Sequence, residues 1–384
     1  MKNLSRRAFV QSLGLGTAGA FSAAAVAFRG REALADTWLD APQAAPLGDA
    51  SLLRLDSNEN PLGPGPAALE AIRAAFGEAG RYPDNPSVAL TDALATLHGV
   101  TAANIVLGSG SGEILRMSVH AFTAPARALL QGQPTFEDPG RYAEVIGTPV
   151  VSVRVDGQLK LDLNAMAGRA SGTGLVFLCN PNNPTATVHS SAALSDFVAK
   201  VLKASPDTTI LVDEAYHHYV EDPTYASAVP MALENPRVVV CRTFSKAYGM
   251  AGLRVGYAIG HAETIKALRR HKLANNVNVL GAMAAVTSLG QPGLIDRERA
   301  RNHDVKEMTR RAFDQMGFKA GASDANFIMV DIKRDAREFQ AACRKLGVLV
   351  GRPFPPLTTC ARISLGTSDE MRQAIDVFKK VLAS

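Results

Sequence analysis

Lys246 sits in Val-Val-Val-Cys-Arg-Thr-Phe-Ser-Lys, after an apolar run of β type at 238–241 that breaks at Arg242-Thr243. Arg254 follows beyond a Gly-Met-Ala-Gly turn. Lysines are rarely buried without a reason. A desolvated lysine gives up its proton readily and condenses with aldehydes. A nearby arginine pushes the same way and offers a phosphate partner. Lys246 is therefore a candidate Schiff-base lysine, and the matching ligand is a phosphorylated aldehyde, pyridoxal phosphate. The competing reading is a solvated lysine on a strand-to-loop corner.

Other residues suit the same ligand. Asp213 opens Asp-Glu-Ala-Tyr after an apolar run at 209–212. A carboxylate at the end of a buried strand wants a cation. A pyridinium nitrogen is one, and the pair would keep the ring an electron sink. Tyr216 and Asn183 are placed to donate to a ring hydroxyl, and Phe136 to stack on the ring face. A helix N-cap is the other role open to Asp213. The run Gly108-Ser109-Gly110-Ser111-Gly112 joins a strand to a helix, which aims backbone N–H groups and the helix dipole at an anion. Its glycine spacing, and the lack of an acidic residue near position 130, separate it from a dinucleotide fingerprint. A tight turn with no ligand is the alternative. Arg362, inside an apolar strand, would grip a carboxylate through both its amino groups. Arg352 is a second candidate, and surface pairing competes with both.

These residues need a frame. Apolar runs at 105–107, 127–131, 149–153, 174–179, 209–212, 238–241 and 256–259 alternate with helical patterns at 113 onward, 141–146 and 192–204. Continuous apolar strands between helices imply a parallel sheet covered on both faces, so the fold class is α/β. Ligands of such sheets bind beyond the carboxyl ends of the strands. Gly110, Asn183, Asp213, Tyr216 and Lys246 all fall just past one. Loops at 58–64 and 81–86 are interrupted by proline, and helices are expected at 66–76 and 88–98. After residue 262 helices dominate, with short strands at 327–330, 348–350 and 361–365, which reads as a smaller α+β domain. The expected division is a signal at 1–35, an arm and part of the small domain at 36–78, a large domain at 79–275 and the small domain at 276–384.

Composition excludes several classes. The 384 residues carry a formal net charge of +5, most of it before residue 36, so a nucleic-acid partner is not indicated. Ser5-Arg6-Arg7-Ala8-Phe9-Val10, an apolar stretch over 13–28 and Ala33-Leu34-Ala35 follow one another as in a twin-arginine export signal with its cleavage site. Passage through the twin-arginine machinery to the periplasm or beyond is expected. Four cysteines do not make a disulfide framework; Cys343 with Cys360 is the pair export would permit. No histidine pair has the context of a metal site, so no metal is expected.

The chain resembles the fold-type I pyridoxal-phosphate aminotransferases, in the branch of histidinol-phosphate aminotransferase. The resemblance rests on Asn58-Glu59-Asn60-Pro61, Arg81-Tyr82-Pro83, Gly110 to Glu113, Asn180 to Thr185, Asp213 to Tyr216, Ser245-Lys246 with Arg254, and Arg362. It implies a mostly parallel central sheet between helices and pyridoxal 5'-phosphate as cofactor. Lys246 would be the covalent attachment point and Asp213 the partner of the ring nitrogen. Tyr216 and Asn183 would contact the ring oxygen, and Phe136 would stack. Ser111, Gly112, Thr243, Ser245 and Arg254 would hold the phosphate. Arg362, with Arg352 and Asn60, would meet the substrate. Tyr82 would reach the phosphate of a second subunit, implying a homodimer. Three departures from the family pattern stand out: Ala186 where glycine is usual, Gly112 where aspartate is frequent, and the run Gly351-Arg352-Pro353-Phe354. The expected reaction transfers an amino group between an amino acid or related amine and a 2-oxo acid. A decarboxylase on the same scaffold, a histidinol-phosphate aminotransferase and an exported ligand-binding protein without turnover are the alternatives.

Overall fold

Runs of valine, leucine and isoleucine form central strands here because both faces of each strand are covered. The computed structural model describes residues 52–383; the twin-arginine segment and the arm that follows lie outside the described residues. The strands are β1 (Leu53–Leu55), β2 (Ile105–Ser109), β3 (Ala128–Gln133), β4 (Val150–Arg154), β5 (Thr173–Cys179), β6 (Thr209–Asp213), β7 (Val238–Thr243), β8 (Val255–Gly260), β9 (Phe327–Asp331), β10 (Val348–Val350) and β11 (Cys360–Ser364). Seven of them make one sheet in the order β2-β8-β7-β6-β5-β3-β4. All neighbours in it run parallel except β8, which is antiparallel to β2 and to β7.

Successive residues of the central strands enter different cores. Val176, Leu178, Ile210, Val212, Val238 and Val240 face one helical layer. Leu175, Phe177, Leu211 and Val239 face the other, with Ile114, Leu115 and Met117 of the helix Gly110–Phe122. Burying a side chain such as Phe177 contributes on the order of 1.5–3 kcal/mol. A separate core gathers Leu55, Ile328, Val330, Phe313, Phe339 and Phe378 around the parallel pair β1–β10 and the antiparallel pair β9–β11.

The structure departs from the sequence reading in four places. The helix Val279–Leu289 lies beyond the division expected at residue 276, yet its Ala282, Ala284 and Ala285 join the core of the large sheet and it packs on the helix Pro66–Ala75. An alanine-rich helix that is apolar all round is a buried helix. The helix expected at 88–98 already starts at Asp84, since Pro86 in the first turn lacks only an N–H that would have no partner there. Strand β7 runs through Arg242 and Thr243 instead of breaking. Arg242 stays buried because Glu214 takes it through Nε and Nη2 at 3.0 and 2.8 Å. The antiparallel course of β8 was not expected. All four cysteines are free thiols, and Cys343 and Cys360 sit in different apolar clusters.

The fold brings the proline-rich loop after β1 against the loop after β7. They come close at Gly249, whose φ is +69° and where a Cβ would lie 1.9 Å from the carbonyl oxygen of Gly63. Gly249→Ala should therefore destabilise the protein by about 2–4 kcal/mol, from overpacking against fixed backbone together with left-handed strain. Urea unfolding measures this, and an unchanged midpoint would mean the two loops do not meet there.

Candidate active site

Several of the functional side chains follow the carboxyl end of a strand: Asn183 follows β5, Asp213 closes β6 and Lys246 follows β7. Thr243 pairs with Gly256 across β7 and β8, so the loop carrying Lys246 leaves and re-enters the sheet at the same edge. Arg254 ends that loop with φ +52°, which turns its guanidinium back over the start of the helix Gly110–Phe122. The approach is close: a Cβ on Gly110, whose φ is +72°, would lie 2.2 Å from Arg254 Nη2. A Cβ on Gly256 would lie 2.4 Å from the backbone nitrogen of Ser111. Glycine at both positions lets strand, guanidinium and helix N-terminus converge. Arg254 Nη1 donates to Ser245 Oγ at 3.3 Å and to the Ala251 carbonyl at 2.9 Å. Thr243 Oγ1 donates to Ser245 Oγ at 2.9 Å, so Thr243 orients Ser245. Arg254 and Ser245 thus meet at the N-terminus of the helix that holds Ser111 and Gly112, where the positive end of a helix dipole favours an anion. Gly112 is open on its outer side, where Tyr142 Oη would be 3.9 Å from a Cβ.

Deeper in, Asp213 shares a row of the sheet with Cys179 and Cys241. It is 3% exposed, and one carboxylate oxygen accepts from the Ala215 N–H at 3.2 Å. Burial pushes its pKa up to about 7, against the pull of that N–H and of Lys246. Lys246 moves the other way. Burial, then the charges of Arg362 and Arg254, lower it to about 8, with Glu59 and Asp213 opposing. Its Nζ donates to the carbonyls of Ser57 and Asn58 at 3.3 and 3.1 Å and lies 5.7 Å from the centre of the Tyr216 ring. Tyr216 packs edge-on against Phe327, and burial raises its hydroxyl above the usual range.

Toward solvent, Thr135, Phe136, Asn183, Arg352, Phe354 and Arg362 line a cavity of about 190 Å³. Arg362 donates to Asn183 Oδ1 at 2.8 Å and to the Asp56 carbonyl at 2.6 Å, while its buried Nε–H has no hydrogen-bond partner among the described residues. Phe354 lies between two guanidiniums, that of Arg362 at 4.8 Å and that of Arg352 at 4.3 Å. Arg352 is paired with Glu137 at 2.6 Å. Asn182 ties this wall together, accepting from Thr135 Oγ1 and donating to the Pro134 carbonyl.

The expected residues therefore divide. Phe136, Asn183, Arg352 and Arg362 line the cavity. Lys246 lies over the Tyr216 ring, with Asp213 acting on both by charge. Thr243, Ser245 and Arg254 form a group at the start of the helix that holds Ser111 and Gly112. The side chain of Asn60 is engaged within the chain. It donates to the Ala247 carbonyl and accepts from the Leu62 N–H, holding the loop beside Lys246. Tyr82 stands 77% exposed at the surface. Sequence reasoning gave no role to Asn58, Ser364 or Glu113. Asn58, 1% exposed at φ +53°, bonds both Tyr216 and Ser364. Glu113 accepts from the N–H groups of Ser109 and Leu273 and from Asn276, bracing the glycine turn. An asparagine ahead of Glu-Asn-Pro was the available signal for the first, since asparagine tolerates left-handed backbone. A glutamate four residues into a helix start was the signal for the last.

Comparison with known proteins agrees with this geometry. The family model for aminotransferase class I and II matches residues 50–378. Histidinol-phosphate aminotransferase of Moorella thermoacetica is 37% identical over 88% of this chain and 87% of its own length. Aromatic amino acid aminotransferase of Thermobifida fusca is 35% identical over 84% of this chain and 88% of its own. Among solved structures, histidinol-phosphate aminotransferase of Sinorhizobium meliloti in complex with pyridoxal-5'-phosphate superposes with a TM-score of 0.80 at 25% identity, covering 94% of this chain and 96% of that one. The α/β architecture is that of fold type I, and the chain belongs to the aminotransferase class I and II family.

Proposed function

We propose that this protein is a pyridoxal-phosphate-dependent aminotransferase that moves an amino group between an amino acid or related amine and a 2-oxo acid. The observation that carries the reading is the opposed pair at adjacent strand ends: Asp213 raised to about 7 and Lys246 lowered to about 8. A buried carboxylate without a cation, beside an amine pushed toward neutrality, is complementary to a protonated pyridine bearing an aldehyde. The Gly110–Arg254 cradle fits the phosphate of the same molecule. When bound, that cofactor supplies the electron sink for bond breaking at the substrate Cα.

The residues then take definite parts. Asp213 holds the ring nitrogen, and Tyr216 and Asn183 the ring oxygen. Phe136 covers the ring face. Ser111, Gly112, Ser245 and Arg254 fix the phosphate, with Thr243 acting through Ser245. Lys246 would be the covalent anchor and, as a free amine, would carry the substrate Cα proton. Its Nζ is held by the Ser57 and Asn58 carbonyls. Arg362 binds the carboxylate of the amino acid or 2-oxo acid, for which its orphan Nε–H is one free donor. Arg352 closes the mouth of the pocket through Glu137.

We also assign a homodimer, in which the partner copy covers the exposed Leu62, Val88 and Leu273 and receives Tyr82 at its phosphate site. Export through the twin-arginine machinery is the third part of the proposal, supported by Ser5-Arg6-Arg7 and the small-residue cleavage pattern at 33–35. Such a route carries folded, cofactor-loaded proteins, which suits an enzyme whose cofactor is buried.

Four outcomes are expected. Lys246→Ala should slow conversion of the bound cofactor's absorbance by an amino donor by at least about a thousandfold. In the wild-type apoprotein, the rate of cofactor attachment should rise with pH through about 8 and level above it, because only the neutral amine attacks. Near-wild-type turnover, or a rate still climbing past pH 10, would rule out this role for Lys246. Light scattering of the mature protein should give twice the chain mass, with Tyr82→Phe dimeric but releasing cofactor faster; a monomer at micromolar concentration would sink the dimer. Replacing Arg6 and Arg7 together by lysine should keep a fused reporter in the cytoplasm, and continued export would overturn that route.

A further inference from the structure

Asn58 links the catalytic lysine and tyrosine to the small sheet. Its N–H donates to Ser364 Oγ at 2.8 Å, and Ser364 Oγ lies 2.9 Å from Asn58 Oδ1. Having accepted from the backbone, the serine hydroxyl gives its own proton to Oδ1. That fixes the orientation of the amide: the oxygen faces Ser364 and the Nδ2 faces Tyr216, 3.1 Å from its hydroxyl. An amide nitrogen only donates, so the tyrosine oxygen must accept. The tyrosine's own proton is then left to point elsewhere.

We infer that Asn58 is a positioning residue that sets the direction of the Tyr216 hydroxyl, so that its proton is donated into the cofactor site. The chain of donors runs from Ser364 to Asn58, from Asn58 to Tyr216, and from Tyr216 to the ring oxygen of the ligand. The inference rests on the cofactor reading given above. Asn58 also presents its carbonyl to Lys246 Nζ at 3.1 Å and to Asn326 Nδ2 at 3.0 Å, so its backbone cannot turn without releasing the lysine. The groups acting on the Tyr216 hydroxyl besides Asn58 are Arg362, Cys179 and Asp213, and the Lys246 ammonium lies over its ring. Arg362 and Lys246 are cations and Nδ2 is a donor, and among the described residues the hydroxyl makes no hydrogen bond to Asp213 or Cys179, so the acceptor for the tyrosine proton comes from the ligand side.

A hydrogen bond donated to the ring oxygen stabilises its anionic form, so losing it raises the pH at which the bound cofactor's absorbance band titrates. Asn58→Asp keeps size and left-handed backbone but replaces the donor by an acceptor, which draws the tyrosine proton away from the cofactor. In holoenzyme the midpoint should rise by about one unit, a tenfold gain in proton affinity. Tyr216→Phe should shift it in the same direction. In the Tyr216→Phe background, Asn58→Asp should add less than a third of its own shift, which separates the relay from the added negative charge. Asn58→Gly retains the carbonyl and the backbone conformation and should raise the midpoint about threefold in proton affinity; it decides the question should the aspartate variant not fold. A midpoint equal to wild type, or a shift undiminished without the Tyr216 hydroxyl, would overturn the inference. A wild-type protein that gains no pH-responsive band on adding pyridoxal phosphate would overturn the cofactor reading itself, and the relay with it.

Discussion

Strand β8 hydrogen-bonds antiparallel to β7 on one side and β2 on the other, so the chain between Thr243 and Val255 must reverse at the carboxyl edge of the sheet. A crossover helix after β7 would have carried Arg254 to the opposite edge. The reversal instead places Ser245, Lys246 and Arg254 at one end and lays Gly256 under the backbone of Ser111. The glycine turn after β2 reaches the same place because β2 is the other neighbour of β8. Anion cradle and reactive amine are thus both consequences of one strand's direction. The parallel remainder of the sheet adds Asp213 and Asn183 from the ends of β6 and β5.

The buried charges fall into two kinds. On one side of the sheet Arg242 meets Glu214 in a two-pronged pair, and Glu214 also accepts from Ser227 and from the Ala228 N–H. Every strong acceptor there has a donor from within the chain, and Arg242 is pushed up from its ordinary value. Such a pair holds architecture: it lets β7 carry an arginine through its last turn of pleat. Near the other face, among the described residues, Asp213 accepts from one backbone N–H, Lys246 donates to backbone carbonyls, and Arg362 of β11 keeps an N–H without a partner. Leaving charges imperfectly matched in a buried place costs stability unless something completes them. That contrast between matched and unmatched charge is what supports the proposed binding site.

Much of this was legible in the sequence. Period and composition placed each central strand within a few residues, because strands covered on both faces read as unbroken apolar runs. The chemistry at their ends was legible for the same reason: a polar residue closing an apolar run has few places to be. Strand direction was not, since β8 looks as apolar as its parallel neighbours. The helix Val279–Leu289 was assigned to the wrong core because alanine carries no preference between two apolar surroundings. Asn58 was hidden more deeply. Its partners Tyr216 and Ser364 lie 158 and 306 positions away, and no local pattern encodes such a bond.

Part of the backbone strain lies at the same place. Of six non-glycine residues with positive φ among the described residues, three are here: Asn58, Ala186 and Arg254, at 53°, 61° and 52°. Left-handed backbone costs an ordinary residue about 1–2 kcal/mol. Arg254 is held there by Ser245 and Ala251, and Asn58 by Ser364, Tyr216 and Asn326. Ala186, which stands where the family usually has glycine, has no polar side chain to hold it. Its methyl group is fully buried in the cluster of Tyr216, Tyr219 and Phe327, and its backbone bonds to Asn182 and Asp324. The packing of that methyl offsets the strain, and it stiffens the wall against which Tyr216 rests. A glycine would relax the backbone and loosen the tyrosine. The departure from the family pattern therefore serves the same end as the donors of Asn58: a phenol ring that is fixed in place, with a hydroxyl that is fixed in direction.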